Sequence, residues 1–123
     1  METKAKVLLV EDDMFLRDIY SETLIGAGFD VSTAADGKEA LEKIKLGGWD
    51  MVLLDVILPF MTGIQIMDEV KTFLKKPSKH ILFLTNSDDT AELEHVLGFT
   101  DGYLLKSSFT PAQLIEKINT YVG

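Results

Sequence analysis

Polar side chains suited to one kind of chemistry occupy four separate places in this 123-residue chain. Each place directly follows a short apolar run, and the residues are Glu11-Asp12, Asp55, Thr85 and Lys106. Apolar runs of this length, without alternation, are typical of strands buried on both faces of a parallel sheet. The carboxyl ends of such strands form the edge where ligands bind. We therefore expect carboxylates, a hydroxyl and an ammonium group to meet at one edge of a sheet.

The hydrophobic pattern predicts five strands alternating with five helices. The predicted strands are 7–10, 30–34, 51–54, 81–84 and 103–105, and the predicted helices are 14–27, 37–46, 63–74, 88–97 and 111–121. Right-handed crossovers then require a parallel sheet covered on both faces. We predict an α/β fold, a flavodoxin-like doubly wound (βα)5 three-layer sandwich with strand order 2-1-3-4-5. Residues 1–123 are expected to form a single domain.

In that order the first and third strands are neighbours, so Glu11, Asp12 and Asp55 should share one cleft. Two carboxylates ~5 Å apart repel by roughly 3 kcal/mol at an effective dielectric near 20. The cleft must therefore hold a proton or a cation. Oxygen ligands favour a hard ion, and we expect Mg²⁺, with Mn²⁺ as the second choice.

Phosphoryl transfer suits this set of groups, because that reaction depends mainly on positioning and charge neutralisation. Asp55 is the natural nucleophile, since a carboxylate can form an acyl phosphate. Thr85 would supply a hydroxyl donor, and Lys106 a mobile positive charge.

Composition excludes several classes of protein. The chain has no cysteine, which excludes disulfides and thiolate chemistry. Its formal net charge of -8 disfavours binding to nucleic acid by this chain alone. No apolar segment has the length of a signal sequence or a membrane span, so we expect a cytoplasmic protein without a membrane partner.

Taken together, these motifs resemble the receiver domain of two-component response regulators, the CheY-like family, over essentially the whole chain. The residues that carry the resemblance are Val10-Glu11-Asp12-Asp13 with Leu16-Arg17, Leu54-Asp55 with Leu58-Pro59 and Gly63, Leu84-Thr85, and Gly102-Tyr103-Leu104-Leu105-Lys106.

The resemblance implies that Asp55 is phosphorylated by a partner histidine kinase. It further implies that Asp12, Asp55 and the carbonyl of Ile57 bind magnesium directly, and that Glu11 acts through metal-bound water. The domain would be a phosphoacceptor and not a conventional enzyme, with slow hydrolysis of its own acyl phosphate at most.

The same resemblance gives roles to three further side chains. Thr85 and Lys106 would contact the phosphoryl group, and Thr85 and Tyr103 would form a switch pair. The switch would remodel the surface of the fourth helix, fifth strand and fifth helix. That surface would contact a downstream protein target or an output domain outside this chain, as a monomer or as a phosphorylation-dependent dimer.

Two departures from the family pattern stand near the proposed site. Ser107 follows Lys106 where the family usually has proline, so we expect a differently shaped loop there. Asn86 follows Thr85 where a small residue is commoner.

Three other functions agree with parts of this sequence pattern. One is a receiver-like interaction domain that is never phosphorylated, which the complete set of polar positions argues against. A phosphatase with an aspartyl nucleophile ranks low, because Ile57 stands where a second acid is needed. A nucleotide-binding flavodoxin-like protein is weaker still, since no glycine-rich loop follows the first strand.

Overall fold

A parallel β-sheet forms the centre of the molecule. The computed structural model describes residues 4–87 and 91–122. The strands within these residues are β1 (Lys6–Val10), β2 (Asp30–Ala34), β3 (Trp49–Asp55), β4 (Ser78–Thr85) and β5 (Tyr103–Leu105). Their order is β2-β1-β3-β4-β5, and every neighbouring pair is parallel. The predicted flavodoxin-like topology is confirmed.

Helices connect the strands and pack on both faces of the sheet. They are α1 (Met14–Gly26), α2 (Gly37–Lys45), α3 (Gly63–Val70), α4 (Glu94–Leu97) and α5 (Pro111–Val122). Single 3-10 turns occupy Ala91–Leu93 and Lys106–Ser108. The predicted helix 88–97 begins on residues that lie outside those the structure describes. None of the described helices is both long enough and apolar enough to cross a bilayer.

The core consists of two apolar layers, one on each face of the sheet. Alternate residues of the central strands point to opposite faces. Leu8 and Leu54 pack with residues of α2, α3 and α4, whereas Leu9 and Leu53 pack with residues of α1 and α5. The unbroken apolar runs in the sequence are therefore the consequence of burial on both sides.

Side-chain caps determine where the helices begin after the sheet edge. The carboxylate of Asp13 accepts a hydrogen bond from the backbone amide of Leu16 and so caps the start of α1. Thr110 and Gln113 exchange reciprocal bonds before α5. Such a bond typically stabilises a helix start by ~1 kcal/mol. The caps therefore help to set the loops that carry the polar residues.

Two predictions about packing were wrong. Helix α3 ends at Val70 and not at Leu74, whose side chain is fully exposed. The reason is that β4 begins at Ser78, three residues before the apolar run, so the chain must leave the helix early. Helical spacing also predicts that Phe15 lies near the buried stripe of α1, but its side chain is 73% exposed.

Gly63 allows α3 to begin against the end of β3. A Cβ atom at this position would lie 2.5 Å from the carbonyl oxygen of Asp55 and 3.1 Å from the Cα of Val56. The amide of Gly63 also donates to the carbonyl of Val56 at 2.8 Å. Close approach of two backbone segments therefore requires glycine here.

We predict that Gly63→Ala lowers the free energy of unfolding by about 2–3 kcal/mol, because backbone atoms must move to admit the methyl group. Gly26→Ala is the matched control: nothing lies within 4 Å of its added Cβ. That control should raise stability by about 0.5–1 kcal/mol. Urea denaturation of both variants gives the comparison, and equal stability of the two would contradict it.

Candidate functional site

Three carboxylates meet where β1 and β3 end. Val10 pairs with Leu54 across these strands, so the residues that follow each of them lie side by side. One carboxylate oxygen from each of Glu11, Asp12 and Asp55 lies within 4.8 Å of the other two. Glu11 and Asp55 are buried, whereas Asp12 is exposed. Protein atoms therefore cover the cluster at Glu11 and Asp55, and solvent reaches it at Asp12.

Lys106 follows β5, at the edge of the sheet two strands away from β3, and its side chain extends to this cluster. Its Nζ donates to Asp55 Oδ2 at 2.8 Å and to the two Glu11 oxygens at 2.9 Å and 3.1 Å. The side chain of Lys106 is only 9% exposed. A 3-10 turn over Lys106–Ser108 occupies the position of the missing Lys-Pro sequence. The altered loop thus still delivers the ammonium group to both buried carboxylates.

The charges in the cluster perturb one another. Burial, and then the neighbouring carboxyl of Asp55, raise the pKa of Glu11 to about 8, although Lys106 acts in the opposite direction. Burial alone would lower the pKa of Lys106, but its bonds to Asp55 and Glu11 outweigh burial and raise it. A single cation thus faces two buried carboxylates, so the cluster retains an affinity for further positive charge.

The guanidinium of Arg17 supports the acidic loop from behind. It donates to the backbone carbonyl of Glu11 at 2.9 Å and to that of Asp12 at 3.3 Å. Arg17 belongs to the family motif in the sequence, but the motif alone gives it no role. Its position four residues after the N-cap Asp13 is a usable signal, because that spacing returns a helical side chain toward the preceding loop.

Two hollows open beside Asp55. One has a volume of about 210 Å³, and Ile57, Thr85 and Asn86 are among the residues that line it. The second, of about 260 Å³, is lined by the acidic cluster, Ile57, Asn86 and Lys106. The Asp55 carboxylate borders both hollows, so a small anion could approach it from the solvent side.

The remaining residues named from the sequence surround this carboxylate less closely. The amide of Ile57 donates to Asp55 Oδ1 at 3.4 Å, and its side chain is 73% exposed. The hydroxyl of Thr85 donates to the carbonyl of Ser87 at 3.1 Å. Tyr103 is 38% exposed and pairs with Phe83, two positions before Thr85 on β4. The structure therefore brings Thr85 to the hollow and leaves Tyr103 at the surface.

We predict that Lys106→Met lowers the free energy of unfolding by roughly 3 kcal/mol near neutral pH, because Glu11 and Asp55 then face each other without a cation. The folded variant binds protons more tightly than its unfolded chain, so its stability falls as pH rises. Because Lys106 lowers the pKa of Glu11, its loss raises that pKa above the wild-type value of about 8, and the deficit relative to wild type should grow between about pH 7.5 and pH 9.5. Urea denaturation across this range measures it. Lys117→Met, on α5, is the control, and a deficit independent of pH would contradict the role of Lys106.

Comparison with known proteins agrees with this geometry. The family model described as response regulator receiver domain matches residues 7–119. The CpxR homolog of Haemophilus influenzae, described as a transcriptional regulatory protein, is 35% identical over 116 residues. That match covers 93% of this chain and 48% of the relative. The chain spans about half the length of the curated relatives it matches.

The chain superposes on solved structures of similar proteins over almost the whole length of both chains. The chemotaxis response regulator CheY4 of Vibrio cholerae superposes with a TM-score of 0.85 and 34% identity, covering 97% of this chain and 99% of that one. TrrA of Thermotoga maritima, solved in complex with Mg²⁺-BeF, gives a TM-score of 0.81 and 30% identity, with 95% and 98% covered. With the strand order and the acidic edge described above, these matches establish that the chain belongs to the response regulator receiver domain family.

Proposed function

We propose that Asp55 accepts a phosphoryl group from a histidine kinase and that Mg²⁺ assists the transfer. The observation that carries this proposal is the environment of the Asp55 carboxylate. This carboxylate lines two open hollows, lies 2.8 Å from the ammonium group of Lys106 and stands beside two further carboxylates. Receiver domains act as phosphoacceptors and are not conventional enzymes, and for this chain we add only a slow hydrolysis of its own acyl phosphate.

The donor set of the cluster fits a hard divalent cation. Carboxylate oxygens are available and, among the residues that the structure describes, no sulfur or imidazole joins them, which favours Mg²⁺ over zinc. We assign Asp12, Asp55 and the carbonyl of Ile57 as its ligands, with Glu11 acting through water. When bound, Mg²⁺ would offset the negative charge of the cleft and of the incoming phosphoryl oxygens. The TrrA structure, which contains Mg²⁺ and BeF, supports the assignment by similarity.

In the proposed reaction an Asp55 oxygen attacks phosphorus as the phosphorus–nitrogen bond of the kinase phosphohistidine breaks. The bonding electrons return to the imidazole nitrogen, and the new bond is an acyl phosphate. Lys106 already contacts Asp55 Oδ2 and can transfer a hydrogen bond to a phosphoryl oxygen. Thr85 can exchange its bond to the Ser87 carbonyl for one to the same group.

The exchange at Thr85 provides a route from the acceptor to the surface. Thr85 ends β4 and pairs with Leu105 of β5, two residues after Tyr103. We propose that Thr85 moves toward the phosphate and that Tyr103 turns inward behind it. The surface formed by α4, β5 and α5 would then change and engage a downstream protein target or an output domain. The greater length of the curated relatives supports an attached or separate output partner.

Incubation with acetyl phosphate and Mg²⁺ should add one phosphoryl group to the wild type and none to Asp55→Asn, as measured by intact mass. Asp13→Asn is the matched control, because it removes the neighbouring charge while asparagine still caps α1. This control should be phosphorylated like the wild type. Unmodified wild-type protein, or a modified Asp55→Asn variant, would contradict the assignment of the acceptor.

Saturating Mg²⁺ should stabilise the folded protein by ~1–3 kcal/mol, because the cation binds the native cleft and not the unfolded chain. Thermal denaturation with and without Mg²⁺ measures the effect. Asp12→Asn should lose most of the increase, whereas Asp18→Asn, an exposed residue of α1, should keep it. The absence of any Mg²⁺-dependent shift in the wild type would contradict a metal site at the acidic cluster.

A further inference from the structure

A second charged surface lies at the opposite end of the sheet from Asp55. The loop between α2 and β3 and the loop between α3 and β4 meet there. Four exposed lysines on these loops or at the ends of the adjoining helix and strand define the lysine face: Lys45, Lys75, Lys76 and Lys79. They stand in a chain whose 20 acidic residues outnumber 12 basic ones. This local excess of positive charge opposes the sign of the whole molecule.

Most of this charge has no acidic partner. Within residues 4–87 and 91–122, no carboxylate lies within ion-pair distance of Lys45, Lys75 or Lys76. Lys76 donates to the backbone carbonyl of Lys79 at 3.0 Å, which leaves its charge uncompensated. Lys79 approaches Asp50 at 3.3 Å but remains 76% exposed. Elsewhere, lysines such as Lys43 and Lys71 pair with carboxylates.

The lysine face is shaped as well as charged. Two adjoining hollows, of about 360 Å³ and about 170 Å³, share Gly48, Lys75, Lys76 and Pro77 in their walls. Gly47 and Gly48 both have positive φ, of 70° and 79°, so the loop between α2 and β3 turns sharply. The side chain of Leu46 lines the smaller hollow and is 79% exposed. Lysine side chains thus surround a concave surface, and the exposed side chain of Leu46 provides an apolar contact within it.

We propose that the lysine face binds an acidic segment of a partner polypeptide in which carboxylates flank an apolar residue. The carboxylates would pair with Lys75 and Lys76, and the apolar side chain would cover Leu46. Exposed lysines without acidic neighbours provide charge complementarity for such a segment at small cost in desolvation.

A short acidic peptide suits this face better than nucleic acid does. The Debye length is about 10 Å at 0.1 M salt, so a short segment responds chiefly to the charges nearest to it. A long polyanion also meets the field of the whole chain, whose net charge is -8. The local patch therefore attracts a compact anionic segment while the remaining surface repels an extended one.

The lysine face and the proposed phosphoacceptor Asp55 lie at opposite ends of β3. Strand β3 runs from Trp49, which lines the larger hollow, to Asp55. Its seven residues at about 3.3 Å each span roughly 20 Å. A peptide on the lysine face and a phosphoryl group on Asp55 can therefore be present together. The proposal does not rest on the function assigned to Asp55.

The test uses a synthetic peptide of about eight residues, glutamates with two leucines between them, which extends over roughly 25 Å. Trp49 is the only tryptophan of the chain and lines the larger hollow, so its fluorescence reports binding. We expect saturable binding at low ionic strength. Lys75→Glu/Lys76→Glu should weaken it by about tenfold or more, because two attractions become repulsions.

Lys38→Glu/Lys117→Glu changes the net charge equally on other surfaces and should alter the affinity less than about twofold. Lys45→Glu/Lys75→Glu is a second test variant, and thermal denaturation checks the fold of each. A peptide that fails to bind the wild type, or that binds Lys75→Glu/Lys76→Glu as tightly as Lys38→Glu/Lys117→Glu, overturns the proposal. It is also overturned if a single-stranded oligonucleotide or an anionic vesicle binds more tightly than the peptide, or if the lysine face instead mediates self-association in sedimentation.

Discussion

The ammonium group of Lys106 lies between two buried carboxylates, 2.8 Å from Asp55 and 2.9 Å from Glu11. Burial of this kind is costly unless each charge is paired, and one cation cannot fully pair two anions, so Glu11 keeps its proton up to a pKa of about 8. The cluster therefore keeps an excess of negative charge that is exposed to solvent on the side of Asp12. A hard dication relieves this excess, and with it an anionic phosphoryl group can approach Asp55. Charge balance thus connects the stability of the fold with its proposed chemistry.

The rest of the structure holds these groups at one place. Parallel strands bring Glu11 and Asp55 to the same sheet edge, because β1 and β3 pair in register and end together. Arg17 holds the acidic loop through two backbone carbonyls, and Gly63 lets α3 begin close behind Asp55. The two apolar layers pack against both faces of the sheet beneath the site. The opposite end of the sheet, with the lysine face, presents the reverse charge and leaves the acceptor accessible.

Much of this arrangement follows from short-range patterns. Unbroken apolar runs located the strands, and their polar ends predicted the acidic cluster, because topology alone brings neighbouring strand ends together. The exposure of Leu74 was not predictable, since it depends on where β4 begins and not on helical periodicity. The reach of Lys106 through a 3-10 turn depends on loop geometry, for which serine in place of proline gives no direct signal. The role of Arg17, in contrast, is a local contact between a helix and the loop before it, which the four-residue spacing from Asp13 could have indicated.

The crowding of charge at Glu11 is the claim on which this account depends most. Carbon-13 NMR titration of its side-chain carboxyl, in metal-free protein, measures it directly. We expect a midpoint at a pKa of about 8, far above the ordinary value of 4.5, and a fall in that midpoint when Mg²⁺ is added. A midpoint near the ordinary value that does not respond to Mg²⁺ would show that the carboxylates do not constrain one another, and it would contradict the account.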